Sequence, residues 1–174
     1  KSTLLTQLAL NSKQTVVYIC SEENPAQVAN RIKRLSTKNN DRIKLLNTST
    51  VENILDAIKS DPGCLVIVDS IQSVSTATNP TTPGSPSQIR DSASFLIQTA
   101  KENSIPMIIV GHVTKDGDIA GPKMLEHMVD TVLELSGDRQ HLLRLLRTVK
   151  NRFGPTDEVG CFDLSDVGIT GLPD

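Results

Sequence analysis

Leu65-Val66-Ile67-Val68-Asp69 is a run of four apolar residues that ends on a carboxylate. A strand exposed on one face alternates apolar and polar residues, so an unbroken run is typical of a strand covered on both faces. Val16–Cys20 and Met107–Val110 are two further runs of this kind. Each is followed by polar residues, and the three runs are separated by segments long enough to hold a helix. This arrangement indicates strands of a parallel sheet.

The segments between these runs carry apolar residues at helical spacing. Helices are predicted from Pro25 to Leu35, from Val51 to Ile58 and from Ile89 to Ala100, with a short strand at Ile43–Leu46. Repeated β-α-β units of this kind predict an α/β fold, with a mostly parallel central sheet and helices on both faces. A linker rich in Thr, Pro, Gly and Ser lies between Thr76 and Ser87 and is expected to be a mobile loop.

The pattern changes after residue 121. Thr131–Leu135, His141–Lys150 and Val159–Leu164 are predicted strands joined by short turns, which indicates a C-terminal antiparallel extension of the sheet. No internal repeat and no second domain are evident. We therefore expect residues 1–174 to form one domain, a size that permits a substantial core.

Composition limits the classes of protein to consider. The chain has 37% hydrophobic and 22% charged residues, which is usual for a globular protein and excludes disorder as the main state. Its net charge of −2 provides no general basic surface, so any nucleic acid must be held by locally gathered cations. Trp is absent and there is one Tyr, so such contacts are expected at the sugar-phosphate backbone rather than by base stacking.

The three cysteines and the absence of long apolar segments predict a cytoplasmic protein. Cys20, Cys64 and Cys161 have no C-x-x-C spacing and lie in apolar runs, as reduced core thiols do. No apolar run is long enough to span a membrane, and no signal peptide is present.

Lys1-Ser2-Thr3 followed by Leu4 and Leu5 matches the end of the phosphate-binding motif G-x-x-x-x-G-K-[ST]. In that motif the lysine reaches the β- and γ-phosphates, and the next hydroxyl binds Mg²⁺. ATP and Mg²⁺ are therefore the expected cofactors. The motif's glycines are not in the chain, so we expect it, as given, to be truncated within Walker A and weak or inactive as an enzyme.

Polar residues that follow the buried strands supply further candidates, since ligands bind at the carboxyl ends of the strands in such sheets. Asp69 has the Walker B form, and its carboxylate would hold Mg²⁺ through water. Glu22 is the candidate base for the attacking water, with Glu23 as the alternative. His112 would sense the γ-phosphate. Each residue alone is as readily a solvated or structural one, but together with Lys1 they form one constellation.

A second set of residues is a candidate for DNA contact. Lys115 and Lys123 lie in a glycine-containing segment, and Gln88 and Arg90 flank the linker. Cations and amides in such segments suit contact with backbone phosphates, although each is more often simply solvated.

Two long motifs resemble the RadA (Sms) family of bacterial DNA-repair ATPases. One runs from Val110 to Asp130, and the other is Lys150-Asn151-Arg152-Phe153-Gly154, which is similar to the family's K-N-R-F-G motif. Shorter matches cover the rest of the chain: Ser21-Glu22-Glu23, Asp69-Ser70-Ile71-Gln72, Pro83-Gly84-Ser85 and Ser87-Gln88-Ile89-Arg90.

The resemblance implies a RecA-like P-loop ATPase core of a hexameric, DNA-dependent and helicase-like motor. Such a motor promotes branch migration of recombination intermediates on single-stranded or branched DNA, with a recombinase-type partner. The matching positions are Lys1, Ser2 and Thr3 in Walker A, Glu22 as catalytic glutamate, Asp69 as Walker B and His112 as switch.

By the same resemblance, Lys150 and Arg152 reach the nucleotide of the neighbouring subunit, and the loops 83–90 and 115–123 face DNA. The family's zinc module and Lon-protease-like domain are expected to lie outside this chain. The alternative reading is a regulatory nucleotide switch or clock-type RecA-like ATPase without DNA motor activity. A catalytic base together with a trans-acting cation favours the motor.

Overall fold

The computed structural model describes residues 1–36, 40–112, 122–137 and 143–172. Helices and strands alternate through the first two thirds of the chain, and strands dominate the last third. The helices are α1 Ser2–Asn11, α2 Pro25–Leu35, α3 Val51–Ser60, α4 Pro86–Glu102 and α5 Pro122–Leu125. The strands are β1 Val16–Cys20, β2 Ile43–Leu46, β3 Leu65–Asp69, β4 Met107–Ile109, β5 Thr131–Gly137, β6 Leu143–Asn151, β7 Val159–Ser165 and β8 Gly168–Gly171.

The first four strands form a parallel sheet in the order β2-β1-β3-β4. All five residues of β1 and all five of β3 are buried, as their unbroken apolar runs predict. Alternate residues serve two separate cores because successive side chains of a strand point to opposite faces. Val17 and Ile19 pack with α3 and α4, whereas Val16 and Tyr18 pack with α1 and α2. The predicted parallel sheet with helices on both faces is confirmed.

Local signals fix where the two best-capped helices begin. The Asn24 side chain accepts a hydrogen bond from the backbone N–H of Ala26, and the Gln27 side chain accepts one from the backbone N–H of Asn24. The Ser85 hydroxyl accepts from the backbone N–H of Gln88, and Pro86 occupies the first position of α4. These contacts satisfy N–H groups that have no partner inside the helix.

The last four strands form an antiparallel sheet in the order β5-β6-β7-β8. Sequence analysis predicts an extension of the parallel sheet; within the described residues, this is a second sheet with its own ladder. Strand β8 and helix α5 are not predicted from the sequence. The Gln7 side chain ties the sheet to α1, since it accepts from the backbone N–H of Ile169 and donates to its carbonyl. Gly168 has a positive φ of 131°, and a Cβ there would lie 2.9 Å from Gln7 Oε1, so this junction requires glycine.

The linker before α4, predicted from its composition as a mobile loop, is hydrogen-bonded to α3 and α4 by polar side chains. The Glu52 carboxylate accepts hydrogen bonds from the Thr76 hydroxyl and the Ala77 N–H. The Asn79 side chain donates to Ser87 and Asp91 of α4. Polar residues thus hold the linker where apolar ones are missing. Across the part of the chain that the structure describes, no helix is long and apolar enough to cross a membrane.

Candidate nucleotide site

The beginning of α1 lies beside the carboxyl ends of the parallel strands. The Lys1 ammonium donates a hydrogen bond of 2.6 Å to the carbonyl of Gly111, which follows β4. Lys1 is the N-cap residue and its side chain makes no capping hydrogen bond, so the first N–H groups of α1 remain available to an anion. Ser2 and Thr3 occupy this first turn.

Asp69 ends β3 and is only 6% exposed. One of its carboxylate oxygens, Oδ2, accepts a hydrogen bond of 2.8 Å from the hydroxyl of Tyr18 in β1. Burial first, and then the charge of Asp69, raise the pKa of Tyr18, so the hydroxyl remains protonated as a donor. The carboxylate is therefore anchored from the interior of the protein.

The two adjacent glutamates of the loop after β1 have different surroundings. Glu22 Oε2 accepts a 2.8 Å hydrogen bond from the Ser70 hydroxyl and lies 3.4 Å from His112 Nε2. The Glu22 side chain is 53% exposed and can meet water.

Glu23 instead pairs with Arg31 of α2, whose Nη2 lies 2.6 Å from Oε1 and 2.5 Å from Oε2. Both carboxylate oxygens of Glu23 are thus engaged by one guanidinium. The surroundings of Glu22 therefore suit a base better than those of Glu23.

His112 itself is held by its main chain. The Gln72 side chain donates a 3.1 Å hydrogen bond to the His112 carbonyl. Gln72 lies in the short segment that comes directly after β3 in the chain. Glu22, Ser70 and His112 thus form one polar group across the ends of β1, β3 and β4. Residues 113–121, which continue from His112, lie outside the described part of the chain.

The oxygen atoms available here suit Mg²⁺. The Ser2 hydroxyl and the Asp69 carboxylate are hard oxygen donors of the kind that Mg²⁺ prefers. Within the described residues, no group of three or more His, Cys, Asp or Glu side chains is arranged to hold a metal ion. A site with few protein ligands fits Mg²⁺, which keeps several waters and binds substrate phosphates.

The two cations of the K-N-R-F-G segment have different environments. Lys150 Nζ is committed to its own chain and donates to the carbonyls of Glu126, at 2.7 Å, and Val129, at 2.8 Å. Arg152 Nη1 lies 2.7 Å from Asp130 Oδ1 at a half-exposed position. Next to it, the Phe153 side chain is 80% exposed.

The candidate DNA residues do not share one environment. Gln88 is 2% exposed, and its Nε2 donates to the carbonyls of Thr76, Asn79 and Thr81 while its Oε1 accepts from the N–H of Thr76. The Gln88 amide, predicted as a DNA contact, is buried in this structure, and its hydrogens are used within the chain. Arg90 and Lys123 are exposed. Lys115 lies outside the described residues.

Tyr18, Ser70 and Arg31 are the residues of this site that sequence analysis misses. Tyr18 could have been found as the one hydroxyl in an otherwise apolar buried strand. Ser70 and Arg31 carry no comparable signal, since a Ser after a strand and an Arg on a helix are common at any surface.

Comparisons with known proteins identify the family. No protein-family model matches the chain. DNA repair protein RadA of Bacillus subtilis is 46% identical over 173 residues, which are 98% of this chain. RadA of Brucella abortus is 46% identical over 97% of the chain, and RadA of Mycobacterium tuberculosis is 45% identical over 100%. The chain belongs to the RadA family. It spans 37–38% of the length of these relatives.

Solved structures with the same fold are more distant in sequence. The RadB recombinase has a TM-score of 0.71 at 21% identity, with 99% of this chain and 86% of that chain covered. A solved ATPase domain gives a TM-score of 0.77 at 15% identity, covering 99% and 81%. A KaiC-like protein from Pyrococcus horikoshii OT3 gives 0.70 at 16% identity, covering 99% and 85%. The chain therefore has a RecA-like α/β fold.

Proposed function

We propose that this chain is the ATP-hydrolysing core of a DNA-dependent ATPase that acts in recombinational DNA repair. The observation that carries the proposal is the placement of Glu22. It lies exposed, hydrogen-bonded by Ser70 and near His112, at the same sheet edge as Asp69 and the start of α1. ATP would bind with its phosphates at the first N–H groups of α1. The Lys1 ammonium would then donate its hydrogen bond to a phosphate oxygen instead of the Gly111 carbonyl.

In this mechanism, each residue of the site has a separate task. Ser2 would bind Mg²⁺, and Asp69 would hold it through water; a bound ion would supply positive charge that offsets the phosphate charge. Glu22 accepts a proton from the attacking water. Thr3 contributes to the phosphate-binding turn, and His112 links the site to the following segment, which includes Lys115.

The assembly that we propose is a ring of six subunits in which Arg152 acts on a neighbour's nucleotide. Its ion pair with Asp130 is half-exposed, and such pairs contribute roughly 1 kcal/mol or less, so Arg152 can leave it at small cost. Lys150 would have to give up two hydrogen bonds to main-chain carbonyls, so we assign it to holding the end of β6 in position. A cation supplied in trans stabilises charge in the transition state of phosphoryl transfer.

DNA contact is proposed at backbone phosphates through Arg90, Lys115 and Lys123, in a cytoplasmic protein that works on single-stranded or branched DNA together with a recombinase. Branch migration is the proposed output of the ring. The alternative is a nucleotide switch without motor activity, in which case DNA would leave the ATPase rate unchanged.

ATP turnover by the full-length protein, measured with and without single-stranded DNA, tests this function. We expect turnover that DNA stimulates and that rising salt weakens. Turnover that is insensitive to DNA at every salt concentration would favour the switch, and no turnover at all would refute the ATPase.

Mixed rings test the trans role of Arg152. Arg152→Ala and Glu22→Gln subunits are each expected to be inactive alone. In a mixture, some interfaces pair an intact base with an intact arginine, and activity should return. Confirmed mixed rings with no activity above that of the separate variants would contradict the trans role.

A further inference from the structure

Tyr18 lies on the buried face of β1 that packs against α1 and α2. It is 1% exposed, and its ring packs among Leu5 and Ala9 of α1, Val28 of α2 and Ile67 of β3. A buried tyrosine hydroxyl requires a partner, and here that partner is the carboxylate of Asp69, 2.8 Å away. Because the ring is buried in this core, its hydroxyl is directed at Asp69 from inside the protein.

The hydrogen bond acts on the orientation of Asp69. The terminal torsion of an aspartate is broad, so a carboxylate without a partner can turn among several orientations. The hydroxyl of Tyr18 holds Oδ2, which determines where Oδ1 points. Bonds to an ionised acceptor are about twice as strong as neutral ones, which suits this contact to the task.

We propose that Tyr18 is a positioning residue that orients the Asp69 carboxylate for Mg²⁺ in the nucleotide complex. This inference rests on the function proposed above. Tyr18 does not touch nucleotide or metal; it acts through Asp69. Groups that hold a metal ligand in place typically change metal affinity about 10–100-fold when they are lost. Asp69 is proposed to bind the ion through water, so we expect an effect near the lower end, about tenfold.

Tyr18→Phe is the informative variant because it removes one hydroxyl and keeps the ring that fills the core. Ser92→Ala is the matched control, since Ser92 is also fully buried and its hydroxyl also makes one hydrogen bond, to the carbonyl of Val74. Both variants lose one buried hydroxyl, and Ser92 lies in α4, in the other core.

Manganese replaces Mg²⁺ as a paramagnetic probe, and its binding is measured by electron paramagnetic resonance on the full-length protein with saturating ADP. We expect Tyr18→Phe to bind Mn²⁺ about tenfold more weakly than wild type, while Ser92→Ala is unchanged. Nucleotide affinity in EDTA should be the same in all three proteins. A purely structural role would instead lower thermal stability and leave the Mn²⁺ affinity at the wild-type value.

A double-mutant cycle separates an effect through Asp69 from a general one. In an Asp69→Asn background, adding Tyr18→Phe should change Mn²⁺ affinity less than about twofold. A further loss of about tenfold there would overturn the inference, as would a wild-type affinity in Tyr18→Phe alone. Failure of the wild-type protein to bind Mn²⁺–ADP would instead refute the proposed function.

Discussion

Replacement of Gln88 by alanine is expected to loosen the linker before α4 and to destabilise the domain. Gln88 is buried and makes four hydrogen bonds to the linker, two of them with the main chain of Thr76. Thr76 is itself buried, so its N–H and carbonyl would lose their partner away from water. The carbonyls of Asn79 and Thr81 belong to partly exposed residues and can turn to solvent.

The expected magnitude follows from these four bonds. An intramolecular hydrogen bond contributes about 1 kcal/mol net, and a buried group left without a partner costs about 1–3 kcal/mol. With the two Thr76 groups left unpaired and the other two rehydrated, we expect a loss of about 3 kcal/mol from the free energy of unfolding. This loss is a large share of the total, because the free energy of unfolding of a protein domain is only about 5–15 kcal/mol.

Chemical denaturation and hydrogen exchange measure this effect, with Gln98→Ala as the control. Gln98 lies on the same helix, is exposed, and makes one hydrogen bond to Glu102, so its replacement should cost less than about 0.5 kcal/mol. Both variants carry the same change in helix propensity. A destabilisation by Gln88→Ala no larger than that of Gln98→Ala, or unchanged exchange in residues 76–81, would refute the reasoning.

Two further predictions rest on pKa shifts. Hydrogen bonds from the main chain, including the Ala77 N–H, and from the Thr76 hydroxyl hold the pKa of Glu52 below its usual value. The stabilisation of the linker by Glu52 should therefore be complete above about pH 4.3 and decline as the pH falls through the lowered pKa. Hydrogen exchange at Ala77, corrected for intrinsic rate, should show this, and Glu52→Gln should remove it. Burial raises the pKa of Cys20 to about 11, so at about pH 8 iodoacetamide should label native Cys20 far more slowly than half-buried Cys161; equal rates would contradict the burial.

The sequence predicts the parallel core well because burial on both faces leaves a direct mark on it. The unbroken run Leu65–Val68 needs no knowledge of distant residues, and all of it is buried as predicted. The burial of Gln88 could not be predicted in this way. The residue type does not show whether a glutamine side chain is solvated or hydrogen-bonded to main-chain groups, and the partners of Gln88 lie up to 12 residues away.

Some features of the candidate site are likewise predictable from the sequence and others are not. Its residues at the strand ends are predictable from position, since strand order places Asp69 near Glu22. The sequence does not show which of Glu22 and Glu23 is the better candidate base. The directions of adjacent side chains in a loop depend on tertiary contacts, such as the ion pair between Arg31 and Glu23. Strand β8 has two glycines among its four residues and no apolar run, so it carries no strand signal.

The choice between Glu22 and Glu23 tests the central claim most directly. Glutamine keeps the shape of glutamate but cannot accept the proton, so each replacement asks whether that carboxylate is the base. In the full-length protein with single-stranded DNA, we expect Glu22→Gln to lower the rate of ATP turnover at least about 100-fold with nucleotide affinity retained. Glu23→Gln should retain most of the turnover. Equal turnover in wild type and Glu22→Gln, with the loss confined to Glu23→Gln, would contradict the account.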